Sequence, residues 1–297
     1  MQTHAVSSSF STSESWSILS EIERSIKEKI EAVGTPLKDW DIQINYGIKT
    51  GFNDAFIIDS VKRNEILSAC QTEEERQRTA EIIRPILRGR DIKRYSYVFA
   101  EQYLIATFPA KQYDIDDYPA LKDYLLAIGI ERLEQTGEEH IINGERVKAR
   151  KRTNNKWFET QDSISYWDEF SKPKIVWAEL SRTGNSFAYS DDGAMVLNTC
   201  YILSFNDNEF HEKELNTLLG FLNSKVALFY LDIISSKLDE TGWRWLKQFV
   251  ELIPVPVQLI FKEDGQLTNK DSASINAQLY EQLGLSPDEA EYLDHII

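Results

Sequence analysis

The sequence predicts a mixed α+β fold, in which small twisted sheets pack with helices and an all-helical C-terminal section follows. Three observations carry this. Ile18, Ile22, Ile26 and Ile30 recur every fourth residue, which draws an apolar stripe along one helix. Short apolar runs bounded by glycine and proline recur between Ile42 and Ser204, at strand length. Leu215, Leu218, Leu219, Leu222, Val226 and Phe229 share one face of a helical run over 212–233.

The elements follow in order. Residues 7–15, SSSFSTSES, are polar and low in complexity, so 1–15 reads as a linker or a cut end. A helix is expected over about 15–32, stopped by Gly34 and Pro36. Ile42 and Ile44 begin a strand that ends at Gly47, and Ala55–Ile58 forms a second after the turn at 51–54. Residues 73–83 read as helix, 103–108 as a buried strand and 119–133 as helix. Strands are expected at 175–179, 186–189 and 195–204, separated by Gly184 and Gly193. Helices are expected at 212–233 and about 243–252, the second ending at Pro254. The tail from 272 reads as two short helices around Gly284 and Pro287, with Ser286 and Glu289 spaced as a capping box. Three regions result: 1–15, an α/β region over 16–210 and a helical region over 211–297.

Composition sets the class. The 297 residues are 42% hydrophobic and 11% aromatic, enough for a real core and too apolar for disorder. No apolar run approaches the ~18 residues that span a bilayer, and the N-terminus lacks the pattern of a signal peptide. Cys70 and Cys200 are far apart and sit in no metal-binding spacing, so they read as buried thiols in a reducing cytoplasm. No metal site is expected.

A net charge of −15 weighs against a polyanionic partner, but the charge is unevenly spread. Residues 114–145 hold nine acids and two bases, and 258–297 hold eight acids and two bases. By contrast, 84–94 hold five bases and one acid, and 144–156 hold six bases and one acid. If the basic runs converge on one face, that face attracts phosphates whatever the total charge. The competing reading is that each run is an ordinary solvated face.

The basic runs hold most of the candidate binding residues. In GIKTGFNDAFIID, 47–59, Lys49 and Thr50 sit between glycines that permit a close backbone approach. An ordinary tight hairpin explains the glycines equally well. In IIRPILRGRDIKRY, 82–95, Arg88, Arg90, Lys93 and Arg94 bracket Gly89. Guanidinium groups grip phosphates or a guanine edge, while internal salt bridges to Asp91 or Asp54 are the alternative. Arg150, Lys151, Arg152, Asn154, Asn155 and Trp157 combine bases, amides and an aromatic ring, a mixture that can read or stack on a base. Ser181 and Arg182 are placed on a loop before Gly184. Lys237 follows the first of the two C-terminal helices and Arg244 lies in the opening of the second, and both could reach phosphates, whereas Trp243 and Trp245 read as core.

These strings resemble the TaqI-like C-terminal specificity domain, the target recognition domain of adenine-N6 DNA methyltransferases and type IIG restriction-modification enzymes. LRGRDIKRY at 87–95 is the most specific of them. The stretches 16–59, 146–180, 215–256 and 275–294 resemble the family's opening helix and hairpin, the lead into its central strands, its closing helices and its terminal helices, in that order. The resemblance implies sequence-specific recognition of double-stranded DNA. It also implies an adenine methyltransferase domain as partner, in cis or as a separate subunit, with S-adenosylmethionine bound there and no cofactor on this chain. A cytoplasmic monomer with no membrane contact is expected. An acidic module that binds the methyltransferase without touching DNA is the alternative.

Catalysis has no foothold in these residues. All eight prolines are isolated, so the (Asn/Asp/Ser)-Pro-Pro-(Tyr/Phe) loop of such methyltransferases is missing, as is its glycine-rich loop. The methyltransferase domain that precedes the position of Trp16 in the family is not in this sequence. Glu263-Asp264 lacks the lysine of a magnesium nuclease, and His4, His140, His211 and His295 are scattered. The purified chain is therefore expected to transfer no methyl group from labelled S-adenosylmethionine to DNA and to cut no DNA. Incorporation above a no-protein control would overturn that expectation.

Overall fold

The computed structural model describes residues 19–206, 212–235, 237–239, 242–256 and 271–295. The expected 1–15 linker, Ile18, His211 and much of the acidic tail lie outside these residues. So do the side chains of 237–239.

The chain opens on helix α1 (Glu21–Val33), capped at both of its first orphan donors by the Ser20–Glu23 capping box. Strand β1 (Ile42–Tyr46) follows. A helical turn, Asn53–Phe56, leads into β2 (Ile57–Asp59), α2 (Ser60–Ala69), α3 (Glu73–Ile82), β3 (Ile83–Leu87) and β4 (Gln102–Ile105). Next come α4 (Pro119–Ile128), the short α5 (Ile130–Leu133) and the hairpin of β5 (Glu139–Ile142) and β6 (Glu145–Lys148). Then come β7 (Lys174–Ala178), β8 (Leu180–Ser181), β9 (Phe187–Ser190), β10 (Met195–Val196) and β11 (Cys200–Phe205). The C-terminal part holds α6 (Glu212–Leu222), α7 (Lys225–Ile234), β12 (Lys237–Asp239), β13 (Gly242–Arg244), α8 (Ser272–Gln282) and α9 (Pro287–His295).

One sheet organises the rest. It runs β9-β7-β11-β1, antiparallel throughout. Side chains alternate between its two faces. Ile175, Trp177, Tyr201, Leu203 and Ile44 pack with α1 and the C-terminal helices. Val176, Ile202, Cys200 and Ala188 pack with a second sheet, β10-β3-β4-β2, and its helices. With both faces covered, β7 and β11 must be apolar at nearly every position, and Ile175, Val176, Trp177, Cys200, Tyr201, Ile202 and Leu203 are all buried. Apolar burial stabilises at roughly 25 cal/mol per Å², and this sheet collects it on both faces. Trp177 stacks on Tyr201 with centroids 5.2 Å apart, and its Nε1 donates to the Trp245 carbonyl at 2.8 Å.

The mixed α+β class stands, with several local corrections. Ala55 and Phe56 are helical rather than extended, because the Thr50 hydroxyl accepts the Phe52 amide and turns the chain first. The 119–133 helix breaks at Gly129, whose φ is +106°. The 195–204 strand is interrupted at 197–199, where the Leu197 amide bonds instead to the Leu87 carbonyl. Ser224 caps a new helix and splits 212–233 into α6 and α7, bent by 61°. Residues 242–244 form β13 rather than a helix, and Lys247–Val250 makes a helical turn. Ser181 lies in β8, not on a loop, because β13 pairs with it. The C-terminal part is chiefly helical and also contributes these strands. The β5–β6 hairpin and α2 add to the elements that periodicity indicates. Asn143-Gly144, both at positive φ, is the hairpin's signal in the sequence. Among the described residues no single helix is long and apolar enough to cross a membrane.

The last helix is fastened to the first. The Glu289 carboxylate accepts from Ser25 Oγ at 2.6 Å, Lys29 Nζ at 2.6 Å and the Ser286 amide at 2.6 Å. Burial raises the pKa of this carboxyl, but these donors outweigh it and hold the group near 2. A depressed folded-state pKa gives stability that is present above the ordinary value of 4.5 and lost as pH falls towards 2. Glu289→Gln is expected to cost about 1–3 kcal/mol at neutral pH. In urea titrations the gap to the wild-type chain should close between about pH 4.5 and pH 2; a gap independent of pH would refute the assignment.

Candidate nucleic-acid interface

Seven of the fifteen predicted binding residues, Lys49, Arg88, Arg90, Arg150, Lys151, Ser181 and Arg182, line two clefts. The first, of about 690 Å³, is lined by Arg88, Gly89, Arg90, Ala178–Arg182, Leu197 and Thr199. The second, of about 380 Å³, is lined by Lys49, Gly51, Phe52, Arg132, Lys148–Lys151 and Gln161. The two are tied at a backbone seam. The Ile48 amide donates to the Val196 carbonyl at 2.7 Å, and the Ile48 carbonyl accepts from Asn198 at 3.0 Å. Gly47 makes this seam possible. A Cβ there would lie 1.9 Å from the Leu197 carbonyl oxygen.

In the first cleft the guanidinium of Arg88 is committed inside the protein. The Asp91 carboxylate accepts from the Arg88 amide, Nε and Nη2 at 2.9, 2.9 and 3.0 Å. Burial pushes the Asp91 carboxyl up, and the Arg88 bonds pull it below the usual range. The salt-bridge alternative therefore describes Arg88. This fork shapes the turn that presents Arg90, which is exposed and makes no side-chain hydrogen bond among the described residues. Lys93 is exposed and donates to the Arg90 carbonyl at 2.8 Å. Arg94 bonds the Asn223 carbonyl and lies over Tyr95, so it ties the loop to the α6–α7 junction. Ser181 Oγ is spent on the Gly184 carbonyl, and Arg182 is exposed at the rim. Arg244 pairs across the sheet with Leu180 and is half-buried, and it is not among the residues that line this cleft. The Lys237 backbone pairs with Trp243.

The second cleft overturns one expectation outright. Arg150 borders the cleft but is only 4% exposed, and its charge is taken up by the protein itself. Its guanidinium donates to four carbonyls: Leu133 at 2.7 Å, Thr50 at 2.9 Å, Glu159 at 2.7 Å and Trp157 at 2.6 Å. It also lies 4.9 Å from the Phe56 ring centroid. Burial lowers its pKa to about 10, which leaves it charged at neutral pH. Thr50 is likewise buried, bonding Asn53 Oδ1 at 2.7 Å. Both are structural residues, because a group enclosed by its own chain cannot reach a phosphate. Trp157 is half-buried, edge-on to Phe158, and its carbonyl serves Arg150.

Four exposed bases stand at the mouth of this cleft: Lys49, Arg132, Lys148 and Lys151. Arg132 lies 5.0 Å from the Phe52 ring centroid. Asp162 is raised by burial and pulled back by Lys49 and Lys151, which places both lysines in its field. Arg152 is exposed and donates to the Thr136 carbonyl at 3.2 Å, and Asn154 is exposed beyond it. Sequence reasoning passed over Arg132 because it lies within the acidic stretch 114–145. Lys148 carried a signal, since it alternates with Arg146 and Arg150 along one strand. Among the described residues no group of three or more His, Cys, Asp or Glu is placed to hold a metal.

A two-core α+β domain with cationic clefts at a backbone seam is the frame of a specificity module. The sequence model of the TaqI-like C-terminal specificity domain matches residues 84–255. That is more than half of the chain, and the chain belongs to this family. No curated protein sequence matches it. The type IIG restriction endonuclease BpuSI resembles it at a TM-score of 0.48 and 14% identity, over 93% of this chain. The type IIL restriction-modification enzyme MmeI, solved with DNA, resembles it at 0.43 and 13%, over 74%. The chain spans 28% and 25% of those two proteins.

Removing the buried guanidinium strands the Leu133, Thr50 and Trp157 carbonyls, leaves that of Glu159 with Gln135 Nε2 alone, and opens a cavity. Arg150→Ala is expected to cost about 3 kcal/mol or more in urea unfolding. Arg150→Lys should recover only part of this, because one ammonium cannot span four acceptors. A loss under about 1 kcal/mol for Arg150→Ala would refute the structural assignment.

Proposed function

We propose that this chain is the DNA target recognition module of a restriction-modification enzyme, and that it acts with an adenine-specific methyltransferase domain in cis or as a separate subunit. The observation that carries the reading is the ring of Lys49, Arg132, Lys148 and Lys151 at one cleft mouth, in a chain whose net charge is −15. Clustered, exposed bases in a cleft focus a positive local field on a polyanion. Membership in the specificity-domain family supports the same reading.

In this scheme the lysines fix the duplex by its phosphates, and Arg90 and the exposed loop residues Arg152 and Asn154 meet base edges. The module binds no cofactor. S-adenosylmethionine, base flipping and methyl transfer belong to the methyltransferase. The module works as a cytoplasmic monomer within that assembly.

The test is a titration of the purified chain with duplex DNA at two salt concentrations. Binding of roughly 10⁻⁴ to 10⁻⁶ M is expected at physiological salt, weakening steeply as salt rises. Lys49→Ala and Lys151→Ala should each reduce the log–log salt slope by about one. Salt-insensitive or absent binding would favour the alternative, an acidic module that docks on the methyltransferase alone.

A further inference from the structure

Most of the described strands are covered, but β5 and β6 expose one face, Glu139, Ile141, Arg146 and Lys148, while His140, Ile142 and Val147 on the other are half-buried. They form a two-stranded sheet of their own, with no third strand on either edge among the described residues. Such a ribbon is marginal in water without support. Support is concentrated at its root. The ladder continues through Ala149 N–H to the Glu138 carbonyl and Gly137 N–H to the Arg150 carbonyl, at 2.9 and 2.8 Å. The Arg150 amide then bonds the Glu134 carbonyl at 2.9 Å, and its guanidinium clamps the helix end at Leu133 and the turn at Thr50. At the other end, Asn143 and Gly144 take φ of +52° and +86°, the primed turn that suits a twisted hairpin. The ribbon is thus an arm braced at its root. From its root at Gly137 and Arg150 to its tip it reaches roughly 20 Å at ~3.3 Å per residue.

The arm has two unlike faces. Register puts Glu139 opposite Lys148 and Ile141 opposite Arg146 on one face. His140 opposite Val147 and Ile142 opposite Glu145 occupy the other. Lys148 lines the cationic cleft, so the first face is continuous with it. On that face Ile141 is 78% exposed, and Arg146 is exposed with no side-chain partner among the described residues. A hydrophobic side chain held in water beside a free guanidinium, on an arm braced at its root, is a surface made for a partner.

We propose that the β5–β6 ribbon enters the major groove of duplex DNA and reads sequence there, with Ile141 and Arg146 as its specificity residues. The inference rests on the DNA reading of the adjoining cleft. The major groove, about 12 Å wide, admits a two-stranded ribbon, and the minor groove, about 6 Å wide, does not. The two side chains carry complementary readout. A guanidinium bonds guanine O6 and N7 in fork geometry, and an apolar group contacts the thymine methyl. Glu139 at the root can accept from a cytosine amino group. Lys148 and the cleft lysines meet the flanking phosphates, which sets the depth at which the ribbon sits.

The experiment is selection of a randomised duplex pool by the full chain, followed by titration of the enriched and a scrambled duplex. Arg146→Ala and Ile141→Ser should each erase preference at one or two base positions, roughly tenfold or more for the arginine. Affinity for the scrambled duplex should change far less. Both positions are exposed, so the urea midpoint should stay at the wild-type value and report an intact fold. Lys49→Ala is the contrast and should weaken all duplexes alike. If the wild-type chain binds duplex DNA but enriches no sequence, or if the ribbon variants leave the enriched sequence unchanged, the ribbon is not the reader. A wild-type chain that ignores duplex DNA altogether sinks the DNA reading, and this inference with it.

Discussion

The buried guanidinium of Arg150 is the interaction on which the second cleft depends. It joins three separate stretches of chain: the 47–51 turn, the end of α5 and the 157–159 loop. The four acceptors are all backbone carbonyls, and the Glu159 carboxylate, bonded to the Lys156 amide, acts on the guanidinium only through its charge. A charge taken out of water must be repaid by several good hydrogen bonds, and the planar fork of arginine can supply them in different directions at once. The gain is geometric. The turn that presents Lys49, the helix end that presents Arg132 and the root of the β5–β6 arm are all fixed to one point.

The core serves the same end by other means. The β9-β7-β11-β1 sheet is buried on both faces, so neither face is open to a ligand. What remains available is the sheet's end, where strands give way to turns. The 88–91 turn, the 197–199 turn and the 47–51 turn emerge there side by side, held by backbone bonds between Leu197 and Leu87 and between Ile48 and Val196. A rigid interior thus supplies positions for mobile-looking chemistry on short, well-braced turns.

Charge acts on this frame locally. Basic side chains are spent in two ways. Arg88 and Arg150 are absorbed into structure, by Asp91 and by carbonyls. Lys49, Lys148, Lys151 and Arg90 stay exposed at the clefts. The absorbed pair shapes the turns from which the exposed ones project, so both kinds are needed for one surface. An overall excess of acid is compatible with that surface because screening confines each field to about a Debye length, roughly 8 Å at physiological salt.

The sequence by itself determined the class of fold, the family and where basic side chains cluster. Period-four isoleucines placed α1, and the apolar runs placed β7 and β11, because these signals depend only on which side chains must leave water. It also held the hairpin signal in Asn143-Gly144. Only the tertiary structure decided which bases remain free. Arg88 and Arg90, or Arg150 and Lys151, look alike in a basic string, yet Arg88 is paired with Asp91 and Arg150 is enclosed. Enclosure depends on carbonyls and carboxylates brought in from distant segments, as Thr50 and Glu159 are brought to Arg150, and Coulomb and hydrogen-bond energies fall off with distance in space rather than along the chain. For the same reason Trp243 and Arg244 became a strand. Their helical pattern was real, but a free edge at Leu180–Ser181 offered backbone partners that a short isolated helix could not match.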